Sequence, residues 1–345
     1  MSQPASPANA ILPKGDKQWL SLHSEEIIEP NLPIVDPHHH LWDARGPYML
    51  PELIDDAKAG HNLVATVFAE CTEGYRQHGP EELRPVGETE LVTALADEAI
   101  AAGHPGLCAG IIGYADLRAG KSVRALLEAH VEAGKGRFKG IRQSSAWDPN
   151  PDVRSTIRTP PQHMLRDAAL RDGLKELAAL DLSFDSWVYH HQMQDVADLA
   201  DAFPYLRIVL DHVGGPIGIG PYAGKRDEVY AVWRKGIAEV ARRDNVCVKL
   251  GGMAMRLSGF GFHELERPPG SDVLAQAWKP YMEPAIELFG PQRAMFESNF
   301  PVDQLSCSYA VLWNAFKRLA SGASPTEKAA LFSGTAARVY KLDLQ

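Results

Sequence analysis

Eight short and almost unbroken apolar runs divide this chain, at residues 32–36, 63–70, 107–114, 138–143, 182–189, 206–211, 246–250 and 293–297. Strands covered on both faces, as in a parallel sheet, lose the apolar–polar alternation that half-exposed antiparallel strands keep. Between the runs, apolar residues recur at helical spacing over 88–102, 122–133, 170–180, 229–243, 281–288 and 309–319. Strand and helix alternating eight times predicts an α/β protein closed into a (β/α)8 TIM barrel, because an open doubly wound sheet usually has five or six strands. No Gly-x-Gly-x-x-Gly turn follows the first run, which argues against a dinucleotide-binding sheet.

A chain of 345 residues is long for one domain but ordinary for a barrel with insertions. The expected organisation is an N-terminal extension over 1–30 and one barrel domain over 31–345. Two segments fit no element: 147–162, rich in Pro, Asp and Arg, and 258–272, rich in Gly and Pro. Both follow predicted strands, so both are expected at the C-terminal face of the barrel, covering the substrate.

Composition narrows the partners. A net charge of −9, with no long Lys/Arg cluster to track a phosphate backbone, argues against nucleic acid. No stretch of about 18 apolar residues occurs, so no membrane span is expected, and no signal peptide is visible at the start. Four scattered cysteines without a C-x-x-C pair fit thiols in a reducing cytoplasm. A small-molecule substrate and a homodimer, the commonest soluble assembly, complete the expectation.

The richest segment is Ile34-Val35-Asp36-Pro37-His38-His39-His40-Leu41-Trp42-Asp43. Side chains of a strand alternate with period two, so His38 and His40 share a face and can converge on one ion while His39 points away. Two further runs end in histidine, the fifth at His190-His191 and the sixth at His212. Strand ends of a barrel gather at one rim, where neutral imidazoles can hold a divalent metal or relay protons. Arg142, closing the fourth run, is suited to clamp a substrate carboxylate, and Glu70, closing the second, to act as acid, base or substrate contact.

These motifs resemble the amidohydrolase superfamily, in its amidohydrolase-2 branch, which includes sugar lactonases and the lactonase of pyrone dicarboxylate breakdown. The resemblance spans roughly 32–340 and rests on Asp36-Pro37-His38-His39-His40-Leu41-Trp42-Asp43, Lys139-Gly140-Ile141-Arg142, Trp187-Val188-Tyr189-His190-His191-Gln192, Leu210-Asp211-His212-Val213-Gly214-Gly215-Pro216 and Phe296-Glu297-Ser298-Asn299-Phe300-Pro301-Val302-Asp303. It implies a zinc or manganese ion held by His38, His40 and His190, with His191 a rival to His190, and His212 as the strand-six histidine. One departure stands out: Asn299 replaces the strand-eight aspartate, and an amide cannot serve as general base. Asp303 or His212 is then the expected base, with Glu70 a further acid or base. Arg142, Asn299 and Tyr189 are expected to contact substrate. Some members of this branch resemble metal-independent lactonases, so a site without metal is the other expectation.

The function expected is hydrolysis of a small lactone or cyclic ester from aromatic or sugar catabolism, carboxylated lactones included. The alternative is metal-dependent, non-oxidative decarboxylation of an aromatic or unsaturated acid, against which Asn299 counts. A C–C or amide hydrolase is a third reading, and a silent barrel that binds a ligand or metal without turnover is the reading from a different class.

Overall fold

The computed structural model describes residues 15–43, 46–154 and 156–344; residues 1–14 of the expected N-terminal extension lie outside the described residues. The expected barrel forms. Its strands are β1 (Pro33–His39), β2 (Asn62–Ala69), β3 (Gly110–Gly113), β4 (Phe138–Arg142), β5 (Ser183–Ser186), β6 (Ile208–Leu210), β7 (Val246–Leu250) and β8 (Ala294–Phe296). Each pairs in parallel with the next in sequence order. The ring is drawn together between β8 and β1, where His40 N donates to Phe300 O at 2.7 Å and Asn299 N to His38 O at 2.9 Å.

After a short α1 (Lys17–Leu20), the outer layer follows the strands in turn: α2 (Leu50–Ala57), α3 (Val86–Ala101), α4 (Arg124–Gly134), α5 (Ala168–Ala179), α6 (Met193–Ala202), α7 (Arg226–Ala241), α8 (Ser271–Phe289) and α9 (Tyr309–Leu319). Two short C-terminal helices, α10 (Pro325–Ala329) and α11 (Thr335–Val339), complete the chain. Local signals place these helices. Asp167 caps α5 by accepting from Ala169 N and Leu170 N, and Leu170, Leu174 and Leu177 are the buried stripe that follows.

Two boundaries differ from the sequence expectation in ways that matter. Helix α8 begins at Ser271, ten residues before the expected start, because Pro280 and Pro284 lie inside it instead of ending it. Its first turn therefore takes residues 271 and 272 from the expected 258–272 insertion. Strand β5 stops at Ser186, so Trp187, Val188 and Tyr189 are not strand residues.

The barrel interior is layered. At its N-terminal end Val35, Ala65, Val67, Ile112, Val209 and Met295 form an apolar cluster closed from below by Ala336, Val339 and Tyr340. Period two carries this inner face from Val209 to Asp211, from Met295 to Glu297 and from Cys247 to Lys249, so the apolar floor gives way to charged groups toward the C-terminal rim. A register irregularity between Asp36 and His39 lets β1 follow the same course, with Val35 and then His38 both inward. At Gly140 on β4 an added Cβ would lie 2.2 Å from Ser183 Oγ and 2.5 Å from Ser183 O, so only glycine lets β5 approach there. Among the described residues no helix is long and apolar enough to cross a membrane.

Candidate active site

Strand β1 delivers the first pair. His38 Nε2 and His40 Nε2 lie 3.3 Å apart, both rings buried. Hydrogen-bond partners set the tautomers. His40 Nδ1 donates to Ala69 O at 2.8 Å, which leaves its Nε2 as an acceptor. His38 Nε2 takes an N–H from Arg142 NH1 at 3.0 Å and is therefore the unprotonated nitrogen, while Nδ1 lies 3.0 Å from Glu297 Oε2. Burial first, then the nearby Lys249 for His38 and Arg142 for His40, push both imidazoles well below their ordinary pKa and keep them neutral.

The second unit is His212 with Glu297. His212 Nδ1 donates to Glu297 Oε1 at 2.7 Å, and His212 N donates to the same oxygen at 3.1 Å. One carboxylate thus touches both rings, hydrogen-bonded to His212 through Oε1 and in contact with His38 Nδ1 through Oε2. Burial works against the charge on Glu297, but the His212 and His38 rings outweigh it and hold the group at about 2. The backbone is bent to allow this: His212 and Val213 both have φ 53°, in the left-handed region that residues with a side chain avoid. Two glycines after β7 make the room. A Cβ on Gly251 would meet Glu297 Cγ at 2.4 Å, and one on Gly252 would meet His212 Cβ and Cγ at 2.6 Å.

Beneath these rings Lys249 Nζ donates to Asp185 Oδ2 at 2.7 Å and lies 3.1 Å from Asp211 Oδ1 and from His38 Nδ1. Its neighbouring carboxylates outweigh burial and raise its pKa, so a fixed positive charge sits within the barrel. Asp211, His38 and His212 offer ligand atoms within 4.8 Å of one another and form a group that could hold a metal ion. The His38–His40 pair fits the same purpose. Two imidazole nitrogens each about 2.0–2.1 Å from a tetrahedral zinc would stand roughly 3.3 Å apart. In this structure Arg142 NH1 approaches His38 Nε2 at 3.0 Å, so the guanidinium occupies the lone pair that an ion would take.

A cavity of about 100 Å³ opens over these groups, with His40, His212, Asn299 and Trp42 on its walls. Thr156–Pro160 of the segment after β4 line it, and none of residues 258–272 is among its lining. The remaining expected site residues divide. Glu70 and Arg142 reach the cavity, paired with each other at 3.2 Å. Arg142 spends NH2 on Glu70 O and NH1 on His38, so it is anchored to the protein on three nitrogens.

His190 does not join His38 and His40. It lines a second cavity with Asp148 and Tyr222, its ring edge-on to Tyr222 at 5.2 Å. The early end of β5 is the reason: Trp187 takes the wall of the active cavity and packs edge-on to His212 at 4.7 Å, and the chain has turned away before His190. The rival, His191, donates to Trp147 O at 3.2 Å. Tyr189 is likewise no cavity residue; its hydroxyl donates to Val153 O at 2.8 Å and tethers the segment after β4. Asp303 is buried behind Asn299, accepting from Asn299 Nδ2 at 2.8 Å and Ala254 N at 3.1 Å, so it positions the amide and does not face substrate. Burial raises its pKa to about 7.

Several groups escaped the sequence reading: Glu297, Asp211 and Lys249 inside the barrel, and Trp187 and Arg158 at the cavity. Lys249 carried a signal, being the one charge in the apolar run Val246-Cys247-Val248-Lys249-Leu250. Arg158 carried none, since it lies in a segment without periodicity.

A parallel barrel whose C-terminal rim carries neutral imidazoles and a carboxylate-backed histidine is built to activate water. A family profile described as amidohydrolase matches residues 35–342. The chain belongs to the amidohydrolase family and is a hydrolase. It is 33% identical to an uncharacterised protein of Sinorhizobium fredii over 90% of this chain and 99% of that one. It is 28% identical to an L-fucono-1,5-lactonase of Burkholderia multivorans, over 89% of this chain and 96% of the relative. The crystal structure of an amidohydrolase from Burkholderia multivorans with bound zinc superposes with a TM-score of 0.67 at 25% identity, covering 90% of this chain and 99% of that one.

Proposed function

We propose that this protein opens a small lactone by attack of water, with His212 as the general base. The observation that carries the reading is the His212–Glu297 pair at 2.7 Å on the cavity wall, supported by the likeness to a lactonase. With Nδ1 donating to Glu297, His212 presents an unprotonated Nε2 for water. It takes a proton as the water oxygen attacks the lactone carbonyl, and returns it to the ring oxygen as the carbon–oxygen bond breaks, giving a hydroxy acid. Arg142 and the Asn299 amide lie on the same cavity and meet the developing oxyanion.

His38 and His40, with His212 or Asp211 adjacent, are the residues that would hold zinc or manganese once Arg142 releases His38. Such an ion, when bound, polarises the carbonyl and makes bound water more acidic. The four free cysteines fit a cytoplasmic setting.

The test is a panel of five- and six-membered lactones followed with a pH indicator. Acid release by the wild type that is lost in His212→Asn supports the proposal. Carbon dioxide evolution from aromatic acids without acid release from any lactone overturns it in favour of decarboxylation.

A further inference from the structure

A second cavity, of about 700 Å³, is walled by the segments that follow β4, β5 and β6 and by α7, and it shares no lining residue with the active one. We propose that it binds a small organic ammonium ion, recognised by the Asp148 carboxylate and the Tyr222 ring. The inference does not depend on the hydrolytic reading.

Asp148 supplies the charge. Its side chain is 2% exposed, and its hydrogen-bond donors are neutral: Tyr222 Oη donates to Oδ2 at 2.7 Å and Asn150 N to Oδ1 at 2.8 Å. Burial first, then Asp148 itself, lift the Tyr222 hydroxyl to about 12, so it stays a donor. Among the described residues the one basic group within 4.0 Å of this carboxylate is His191, at 3.7 Å, and burial pushes that imidazole below its ordinary pKa. A buried carboxylate met only by neutral donors lacks a counter-ion. The rest of the wall has the same sign, with Asp152 and Glu228 against Lys225.

His190 adds an unused polar group. Its ring is buried on this cavity, and its Nδ1 has no hydrogen-bond partner among the described residues. Burial and then His191 hold its pKa near 4, so it is neutral at pH 7, and a neutral imidazole keeps one nitrogen able to accept an N–H. The ring stands edge-on to Tyr222 at 5.2 Å, and Tyr222 lies stacked on His191 at 6.3 Å. A phenol that donates to a carboxylate presents an electron-rich face, which attracts a cation through the ring quadrupole. Pro149, Val229 and Val232 give the apolar surface that an alkyl group covers. A bare metal ion fits less well, since Asp148 and His190 belong to no group of three metal ligands among the described residues. A positive head on an apolar body is the ligand that answers the charge, the ring and the wall together.

Titration of the full chain with isopentylammonium and with its uncharged isostere isopentanol, followed by NMR, reads the site without turnover. The wild type is expected to bind the amine at least tenfold more tightly than the alcohol. Asp148→Asn keeps the acceptor oxygen and removes the charge. Val232→Lys, at an exposed position on the same wall, adds a like charge and disturbs no buried group, so it decides the matter if Asp148→Asn does not fold. Each folded variant should lose the preference for the amine while alcohol affinity stays within threefold. A wild type with no preference, or a preference that survives in either folded variant, overturns the proposal. His212→Asn alters only the other cavity and should bind the amine as the wild type does; a loss there would place the amine in the active cavity and overturn the proposal as well.

Discussion

In the proposed reaction Glu297 is the residue on which the chemistry turns, because it hydrogen-bonds His212 through one oxygen and lies 3.0 Å from His38 Nδ1 through the other. Replacing it by Gln keeps the shape but puts an amide N–H against one of the two Nδ1–H groups, which forces one ring into the wrong tautomer. Glu297→Gln should lower kcat on an opened lactone by roughly 100-fold or more, the scale of a general base removed. A loss under threefold in kcat would remove Glu297 from the mechanism. Asp303 acts on stability instead. Its folded pKa of about 7 stands above the 3.8 of an ordinary aspartate in the unfolded chain, so between those pH values the folded protein keeps a proton that the unfolded chain gives up. That contribution is full below pH 4 and is lost as pH rises through 7, a change on the order of a few kcal/mol. Asp303→Asn cannot ionise, so its unfolding midpoint relative to wild type should rise between pH 5 and pH 8. Parallel pH curves for the two proteins would show that Asp303 is ionised throughout.

At the scale of elements, the turn after β7 decides how close β6 and β8 can bring their side chains. Gly252 has φ +67° and no space for a Cβ beside His212, whereas Gly290, after α8, has φ +72° with nothing within 4 Å. Ala at Gly290, where φ is 72° and ψ 160°, therefore reads the backbone cost alone, about 1–3 kcal/mol. Ala at Gly252 adds displacement of the His212 ring, so kcat/KM should fall at least tenfold in Gly252→Ala and stay within twofold in Gly290→Ala. Equal activities in the two variants would mean that the His212 position is not critical. The same scale explains what could be read from the chain. Strands such as Val246–Leu250 were legible because burial on both faces leaves an apolar run bounded by turns. The His38–His40 convergence was legible because β1 extends through His39, so the period-two rule applies to that stretch. The strand-end argument failed for His190, since β5 ends four residues earlier and a local 3-10 turn sets the direction of that ring. Asp303 was misread for a related reason: four residues along a bent segment bring its carboxylate behind Asn299, a tertiary fact without a sequence period. Helices α2 and α6 were passed over because their apolar stripes are short, Leu50 and Leu53 in one case and Val196 and Leu199 in the other.

Across the whole molecule, a line of buried polar contacts joins the closed floor of the barrel to the reactive rim. Tyr340 Oη donates to Asp185 Oδ2 at 2.6 Å, Lys249 donates to the same oxygen at 2.7 Å, and Lys249 lies 3.1 Å from His38 Nδ1. The barrel can carry charge along its axis only because each group has a partner, and an unpaired buried carboxylate would cost more than its hydrogen bond returns. The floor and the rim nevertheless do different work. Tyr340 packs with Val339 and Ala336 under the apolar layer, whereas Lys249 keeps Asp185 and Asp211 as partners whether or not the tyrosine hydroxyl is present. Tyr340→Phe removes one donor from Asp185 and leaves the Lys249 pair intact, so stability should fall by about 1–3 kcal/mol. Urea unfolding at pH 7 measures that fall, and kcat/KM at a temperature well below the transition should stay within threefold. A Tyr340→Phe variant of unchanged stability but much reduced activity would mean that the floor tunes the rim through Lys249, and the separation of the two ends would be wrong.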